Sequence, residues 1–578
     1  MSATIRIARK IPHAHGFRIA NAKRIHVLLA APHAPFKDPR LWWQSSCGSA
    51  DDAYVCIGLH SDASAPRFTM HVPRPNIIEI SAYRYAPLSD RYREEHPFDT
   101  HPLAGELLAE LKRTSRLDAE TLAREFSIAP ERAAIFKDIC HYFTIAAERL
   151  ADIGLGLTQA STIIAADMDA LLPALVLSQR LGAPLVFDAH EIWPESGNFP
   201  RAEVDFWAAF EKRAVAPAQA RFVASAPSAA WMSRAYGMDF APLPNCEPLG
   251  SAMPPRPPRD AKRPVTFVFQ GGMARTRGLH LLVGAWPHLK SDAVLVLRGP
   301  VMDEPYVAEV KRAAGDLLGD RVIFAESVTE AELVAAAAQS DIGVIPYEPI
   351  GANNMGSCPN KLSQYLAAGL PILSNDLPFV REVIEKGDCG VAVDFTDRDA
   401  LVAAIDALAS DPARVARMGE NAERHFREDF HWEAQSRNFY EALDRLAPAA
   451  APLTASFDYA EHVGSLERIL AAAPFLRAVH TQLMRMRRAL WHTLPYSLRM
   501  KLRPLARRVL SGDIYLPFRG ARARSMRLLQ RQWKRLPPPT RDRLKPVASR
   551  VLATPVFRDV KPARLDAEEV VSQSRRAP

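Results

Sequence analysis

Apolar residues fall along this chain in short blocks, each closed by small or polar residues. From Arg24, RIHVLLAAP is an apolar run too short for a helix and reads as a buried strand. AYVCIGLH and NIIEISAY follow as strands between Pro, Ser and Asp clusters. Residues from about 102 to 150 carry a helical pattern. TIIAADMDALLPALVLSQRLGAPLVFDAHEIWPE then reads as strand, helix, strand, with polar residues after each strand, and ARFVAS from 220 is a further strand. Pro-rich sequence, PLPNCEP and MPPRPPRDAKRP, interrupts the pattern. Alternation resumes with VTFVFQGG, AVLVLRG, RVIFA, DIGVIPY, PILS and GVAVD, with helices between most of them.

Such alternation implies parallel strands joined by helical crossovers. The expected fold is α/β: two doubly wound, Rossmann-like sheets facing a cleft, with ligands beyond the carboxyl ends of the strands. The breaks divide the chain into a loose basic leader (1–23), a first doubly wound domain (24–247), a linker (248–264) and a second doubly wound domain (265–428). A helix (429–446) packing back toward the first domain follows, then a linker (447–455) and a basic, mainly helical appendage (456–578).

Size agrees with several cores, since compact domains seldom exceed about 250 residues and the chain has 578. Its six cysteines are scattered without a CxxC, which suggests neither a zinc ribbon nor a disulfide framework but reduced thiols. No apolar run reaches the roughly 20 residues that span a bilayer, and the first strand is preceded by no apolar signal segment. The expected location is cytoplasmic, with peripheral attachment to the inner face of the cell membrane as a candidate.

That candidate comes from the charge distribution. Between Arg468 and Arg564 there are 24 Lys and Arg against 3 Asp, so the rest of the chain is acidic on balance. Leu476, Val479, Leu483, Met486 and Leu490 recur at helical spacing among arginines, and LPYSLRMKLRPLARRVL from Leu494 resembles LPPPTRDRLKPVASRVL from Leu536, a two-unit repeat. Three readings compete: ordinary basic solvent faces, an anionic membrane surface as partner, and nucleic acid, for which no binding signature is present.

Two segments of the second domain carry candidate chemistry. In VFQGGMARTRG, Gly271 and Gly272 end a strand before a helix, where backbone N–H groups approach a diphosphate closely. Arg275 or Arg277 is placed to pair with the phosphates bidentately. In GANNMGSCPNKLSQYLAAGLPILSND a helix opens near Pro359, and its free N–H groups form an anion site. Lys361, in that first turn, opposes the helix dipole, which a bound phosphate would explain. In the first domain, Asp167 and Asp169 follow one strand and Asp188, His190 and Glu191 the next. Asp167 and His190 are candidates for orienting or deprotonating a hydroxyl. Glu191 reads equally as a cap or ion-pair partner, Asp188 reads as structural, and His33 after the first strand is a further cleft candidate.

From about Arg24 to Leu446, and most strongly over 265–446, the chain resembles family 4 of the retaining glycosyltransferases, which have the GT-B fold. QGGMARTRGL is similar to that family's donor-phosphate loop, PNKLSQYLAAGLPIL to its donor-binding helix and following strand, and CGVAVDFTDRDAL and the Trp432 helix also fit. ADMDALLPAL and FDAHEIWPE resemble its acceptor-side segments. The resemblance implies transfer of a sugar from a nucleoside-diphosphate sugar to a hydroxyl of a glycan or lipid-linked acceptor, with retention, in a setting such as bacterial surface-polysaccharide assembly. It implies that Arg277 and Lys361 stabilise the leaving diphosphate, and that Gly271, Gly272, Arg275, Asn360 and Gln364 join them in holding the donor. It implies no metal and no cofactor; the Asp167-Met168-Asp169 spacing falls in the first domain and reads as fortuitous.

Three positions depart from the family. Gly356 and Gln364 stand where it usually carries glutamates, the second of which grips the nucleotide ribose. A neutral glutamine there implies roughly tenfold weaker ribose binding. Ala166 stands where relatives often have a histidine. A non-catalytic protein on the same fold, or a nucleotide-sugar epimerase, are the alternative readings.

Overall fold

The computed structural model describes residues 6–9, 16–197, 199–254, 263–448 and 452–459. The amphipathic stripes and the two-unit repeat of the appendage lie outside the described residues.

The chain opens with β1 (Arg6–Arg9) paired antiparallel to β2 (Gly16–Ala22). The first large sheet follows: β3 (Ile25–Ala30), β4 (Ala53–His60), β5 (Phe68–Arg74), β6 (Ile77–Tyr83), β7 (Thr162–Ala166), β8 (Leu185–Ala189), β9 (Ala220–Val223) and β10 (Ala241–Pro242). Their order is β10-β9-β8-β7-β3-β4-β6-β5. All pairings are parallel except β5 with β6, which adds an antiparallel edge strand that the sequence reading omits. Every residue of β3, β7 and β8 is buried. Helices cover both faces, so these strands are predominantly apolar, whereas β5 buries only Phe68 and is otherwise half-buried or exposed.

The second sheet contains β11 (Thr266–Gln270), β12 (Val294–Arg298), β13 (Val322–Ala325), β14 (Ile342–Ile345), β15 (Ile372–Asn375) and β16 (Gly390–Val393), all parallel, in the order β13-β12-β11-β14-β15-β16. Both sheets therefore reverse their strand order beside their first parallel strand, and at that reversal a crevice opens above the carboxyl ends.

The helix Arg437–Leu446 returns to the first sheet. Phe439 packs edge-on to Phe222 of β9 at 5.4 Å, and Trp432 lies 5.7 Å from Trp43. The chain then forms β17 (Leu453–Asp458), antiparallel to β2. This corrects two boundaries. Residues 16–22 are not a loose leader, and the second linker gives way to a strand at Leu453. GFRIANA alternates apolar and polar, and its apolar face meets that of β17: Phe17 stacks on Phe457 at 5.0 Å. The basic side chains of the segment masked a period-two pattern whose partner lies at the far end of the fold. The six cysteines are all free.

Candidate active site

A cavity of ≈ 320 Å³ lies where the carboxyl ends of the two sheets face each other. The ends of β11 and β14 and the start of the helix Asn360–Ala367 form one wall, and the turn after β8 forms the other.

Lys361 sits on this wall with only 6% of its surface exposed. Its ammonium donates to the Tyr347 hydroxyl at 2.6 Å and lies 4.3 Å from the centre of the same ring. Burial pulls its pKa below the usual lysine value, and the Arg277 charge pulls the same way. Arg277 lies 4.2 Å over the Tyr347 ring from the opposite loop. Burial alone would raise the Tyr347 hydroxyl, but Arg277 and Lys361 together hold it below its ordinary value. Among the described residues neither cation has a carboxylate within ion-pair distance. Pro359 is the N-cap of the Lys361 helix and no side chain caps it, so the free N–H groups of the first turn also face this region.

The Arg277 loop is fixed by Gly278. Its φ is +65°, and a Cβ there would come 2.0 Å from the Pro346 carbonyl oxygen at the end of β14. Only glycine allows this approach. Gly271, Gly272 and Asn360 also line the cavity. Arg275 does not: its guanidinium is held by Glu309 at 2.6 Å and covers the Tyr306 ring at 4.8 Å. Of the two arginines that the sequence leaves as alternatives, the intervening turn brings Arg277 to the cavity.

Gln364 lines the cavity with its amide between two carboxylates, donating to Glu330 at 3.3 Å and to Glu247 at 3.4 Å. Burial pushes Glu247 up to about 7 and raises Glu330 as well. A glutamate at 364 would add a third carboxylate to this pair, which explains the neutral residue. Gly356 is a point of contact between the domains. Its carbonyl accepts hydrogen bonds from the hydroxyls of Ser225 and Ser228, and a Cβ would fall 2.5 Å from Ser228 Oγ. Ile192 N–H likewise donates to Asn353 across the domains at 2.9 Å.

On the opposite wall, His190 lies between two aspartates, 3.5 Å from Asp167 through Nδ1 and 3.5 Å from Asp188 through Nε2. Burial lowers its pKa, but Asp167 and Asp188 outweigh that and raise it to about 9. The two carboxylates thus favour its imidazolium form. Asp188 is fully buried and receives Arg40 bidentately at 2.7 and 2.6 Å and Gln44 at 2.5 Å. Burial would raise it, yet Arg40 holds it well below the carboxylate range, and its role is to fix β8 and orient His190. Asp167 accepts the His190 backbone N–H at 2.9 Å, and its own backbone has φ 66° and ψ 168°, a region that strains any residue but glycine. Burial, together with Glu191 and Asp169, raises it. Asp169 turns away to the Tyr142 hydroxyl, and burial lifts it to about 6. Burial holds His33 below its ordinary value, and the His190 charge lowers it further. Glu191 lines the cavity and accepts from Asn353 at 3.4 Å. Among the described residues no cluster of His, Cys, Asp or Glu has the arrangement of a metal site.

Sequence reasoning missed Tyr347 and Glu330. Tyr347 closes the apolar run DIGVIPY and reads as core, and Glu330 lies in a turn with no motif around it.

A cavity with two cations, an open helix start and a facing wall of carboxylates suits a diphosphate ester and a hydroxylated partner. Residues 255–425 match the family model described as glycosyl transferases group 1. This part of the chain is a group 1 glycosyl transferase domain. The group 1 domain carries Arg277, Lys361 and Tyr347, while His190 and Asp167 lie outside the match. Similar curated proteins include the GDP-mannose-dependent alpha-(1-6)-phosphatidylinositol monomannoside mannosyltransferase of Mycolicibacterium smegmatis, 28% identical over 186 residues, 31% of this chain and 48% of that one. An alpha-maltose-1-phosphate synthase of Mycobacterium tuberculosis is 30% identical over 185 residues, 30% of this chain and 46% of that one. The chain spans about half the length of the curated relatives it matches. Among solved structures, sucrose-phosphate synthase from Thermosynechococcus elongatus superposes with a TM-score of 0.51 at 17% identity, covering 74% of this chain and 100% of that one. Anabaena HepE, solved with UDP and glucose, gives 0.50 at 14% identity, covering 73% and 100%. These likenesses cover about three quarters of the chain and identify the fold as GT-B.

Proposed function

We propose that the protein is a glycosyltransferase that moves a sugar from a nucleoside diphosphate to a hydroxyl of a glycan or glycolipid, with retention as the family 4 resemblance implies. The observation that carries this is the pairing of Arg277 and Lys361 across Tyr347 on the cavity wall, with no carboxylate among the described residues within ion-pair distance of either. As the bond from the anomeric carbon to the diphosphate breaks, its electron pair goes to a phosphate oxygen. Fixed cations beside that oxygen, one of them the buried Lys361, lower the barrier. The open helix start and the His190 imidazolium add to the same field. The acceptor hydroxyl forms the new bond to carbon, and its proton goes to the departing phosphate, the base nearest the retained face. Gln364 and Glu330 take the nucleotide's ribose hydroxyls in place of a glutamate at 364. No step calls for a metal.

The test is a thermal-shift screen of the full chain against UDP, GDP, ADP and CMP, with Arg277→Ala and Lys361→Ala as controls. A ligand at 100 times its dissociation constant stabilises by about 2.7 kcal/mol, which a cooperative melt resolves. One nucleotide should raise the midpoint in the wild type and in neither variant. If none does so at millimolar concentration, a non-catalytic protein on this fold becomes the better reading.

The acceptor is proposed to be reached at an anionic membrane surface on the cytoplasmic side. The support is the 24 Lys and Arg against 3 Asp between Arg468 and Arg564. Each basic residue near such a surface contributes roughly 1 kcal/mol. No described helix is long and apolar enough to cross a membrane. Co-sedimentation with phosphatidylglycerol vesicles but not with phosphatidylcholine vesicles, lost on removing residues 461–578, is the expected result; equal binding of RNA at matched salt would favour the nucleic-acid reading.

A further inference from the structure

The segment that leaves the first domain for the second is pinned on both sides. At its start the Leu243 N–H donates to the Val223 carbonyl at the end of β9, at 2.8 Å. Four residues on, the Glu247 N–H donates to Ser363 Oγ at 2.6 Å, inside the helix Asn360–Ala367. Asn245 lies midway between these points and lines the cavity beside Lys361.

The Asn245 side chain bridges two groups of opposite hydrogen-bonding kind. Its Oδ1 accepts from Arg40 Nη1 at 2.6 Å, and its Nδ2 donates to the Cys358 carbonyl at 2.9 Å. A guanidinium only donates and a carbonyl only accepts, so the bridge needs an acceptor and a donor on one short side chain. An amide supplies both; an aspartate has no donor. Each end of the bridge leads to a charged wall of the cavity. Cys358 is followed by Pro359 and the helix start that carries Lys361. Arg40, from the helix Pro39–Ser46, gives its Nε and Nη2 to the two oxygens of Asp188, which also faces His190 Nε2 at 3.5 Å. A continuous line of contacts thus runs from the Lys361 helix through Asn245 and Arg40 to Asp188 and His190. Arg40, Asp188 and Cys358 are all buried, where a satisfied polar network holds its members in one geometry. The other cross-domain bonds, from Ile192 and from Ser225, end at Asn353 and Gly356, short of this helix start.

The two charged walls belong to different domains, and charges stabilise a developing anion best when they are held in place before it forms. We propose that Asn245, with Arg40, is a positioning residue for the transfer. Through this bridge it keeps the Lys361 helix and the His190 wall in one register, so that both act on the same bound diphosphate. This rests on the glycosyl-transfer reading above and adds the element that ties its two walls together.

Isothermal titration of the full chain tests it, with UDP or the nucleotide selected by the thermal-shift screen. The proteins compared are the wild type, Asn245→Ala, His190→Gln and the double variant. Asn245→Ala should weaken affinity about tenfold, as expected for losing a hydrogen bond to a charged group. The combined loss in the double variant should fall short of the product of the single losses by more than about twofold, because His190 no longer bears on the diphosphate once the bridge is cut. An Asn245 that only fills space would leave the losses multiplicative. Asn245→Ser keeps a polar group too short to reach both partners. It should show the same shortfall, so a misfolded alanine variant does not decide the outcome. The proposal is overturned if the losses multiply, if neither Asn245 variant changes affinity, or if His190→Gln alone has no effect. A wild type that binds no nucleotide would sink the transfer reading and the proposal with it, whereas multiplicative losses from a wild type that does bind would sink the proposal alone.

Discussion

The Lys361 ammonium donates a 2.6 Å hydrogen bond to the Tyr347 hydroxyl, whose ring also lies 4.2 Å from the Arg277 guanidinium. Tyr347 thus raises the pKa of a lysine that burial lowers. A bound diphosphate would restore that lysine further, so nucleotide binding is strongest below the Lys361 pKa of the free protein and weakens as pH rises through it. Tyr347→Phe keeps the ring and removes the hydroxyl. A hydrogen bond from a charged donor is worth about 1.5–3 kcal/mol. The variant should bind nucleotide about tenfold more weakly at neutral pH, and the weakening should begin at lower pH than in the wild type. Isothermal titration across a pH series reads both effects; unchanged affinity and pH dependence would remove Tyr347 from the donor site.

Asp167 occupies a glycine-like backbone conformation, φ 66° and ψ 168°, at the end of β7. Such strain costs on the order of 1–3 kcal/mol. Asp167→Ala loses the contacts to His190 and retains the strain, whereas Asp167→Gly loses the same contacts and relieves it. At an ordinary position alanine is the more stable of the two by roughly 0.5–1 kcal/mol. Here the order should reverse, with the glycine variant melting higher and both variants impaired in transfer. Chemical denaturation of the pair decides this, and an alanine variant more stable than the glycine one by roughly 0.5–1 kcal/mol would mean that the conformation carries no strain.

The two sheets are legible because strands such as β3 and β11 have short, mostly apolar runs and each is followed by a helical pattern, a signal that needs no knowledge of partners. The placement of Arg277 and Lys361 was legible because strand ends and helix starts face the cleft by topology. What stayed hidden depends on distant geometry. Nothing local in GFRIANA says that β17 will pair with it. Arg275 and Arg277 are two residues apart, and only the turn closed by Gly278 decides which one reaches the cavity. Gln364 reads from the sequence as a weakened ribose contact, because Glu247 and Glu330, which flank its amide, come from distant segments. Tyr347 and His190 owe their electrostatic character to neighbours from other elements, so composition gives no hint of it.

Glu211 is fully buried, accepts the Tyr236 hydroxyl at 2.5 Å through one oxygen, and leaves the other without a partner. Burial raises its pKa to about 8. A carboxyl raised on folding contributes fully to stability below its unfolded value, near 4.5. That contribution is lost progressively as pH climbs to the folded value. Glu211→Gln keeps an oxygen for Tyr236 and cannot ionise. It should match or fall slightly below the wild type near pH 5 and exceed it near pH 8, by on the order of 1–2 kcal/mol after the cost of a new buried amide donor. Thermal melts at the two pH values test the crossing, and parallel curves would place the Glu211 pKa in the ordinary range.

Gly356 meets Ser228 where the two domains touch. A Cβ at 356 would lie 2.5 Å from Ser228 Oγ and 3.2 Å from Ser228 N, so a side chain there has to push the helix that follows β9 away. That helix donates the Ser225 and Ser228 hydroxyls to the Gly356 carbonyl, and both bonds would be strained by the movement. Gly356→Ala should therefore cost about 1–3 kcal/mol, the usual range for overpacking a tight contact. Ser228→Ala removes the nearest clashing atom but leaves the backbone nitrogen. In that background the cost of Gly356→Ala should shrink by more than 0.5 kcal/mol, the level at which neighbouring residues are taken as coupled. Gly356→Glu, which installs the residue usual in the family, should open the cleft and raise the small-angle scattering radius of the protein. Additive stability losses in the alanine cycle, or a glutamate variant with wild-type dimensions, would mean that the domains yield at this contact and that glycine is not what holds them together.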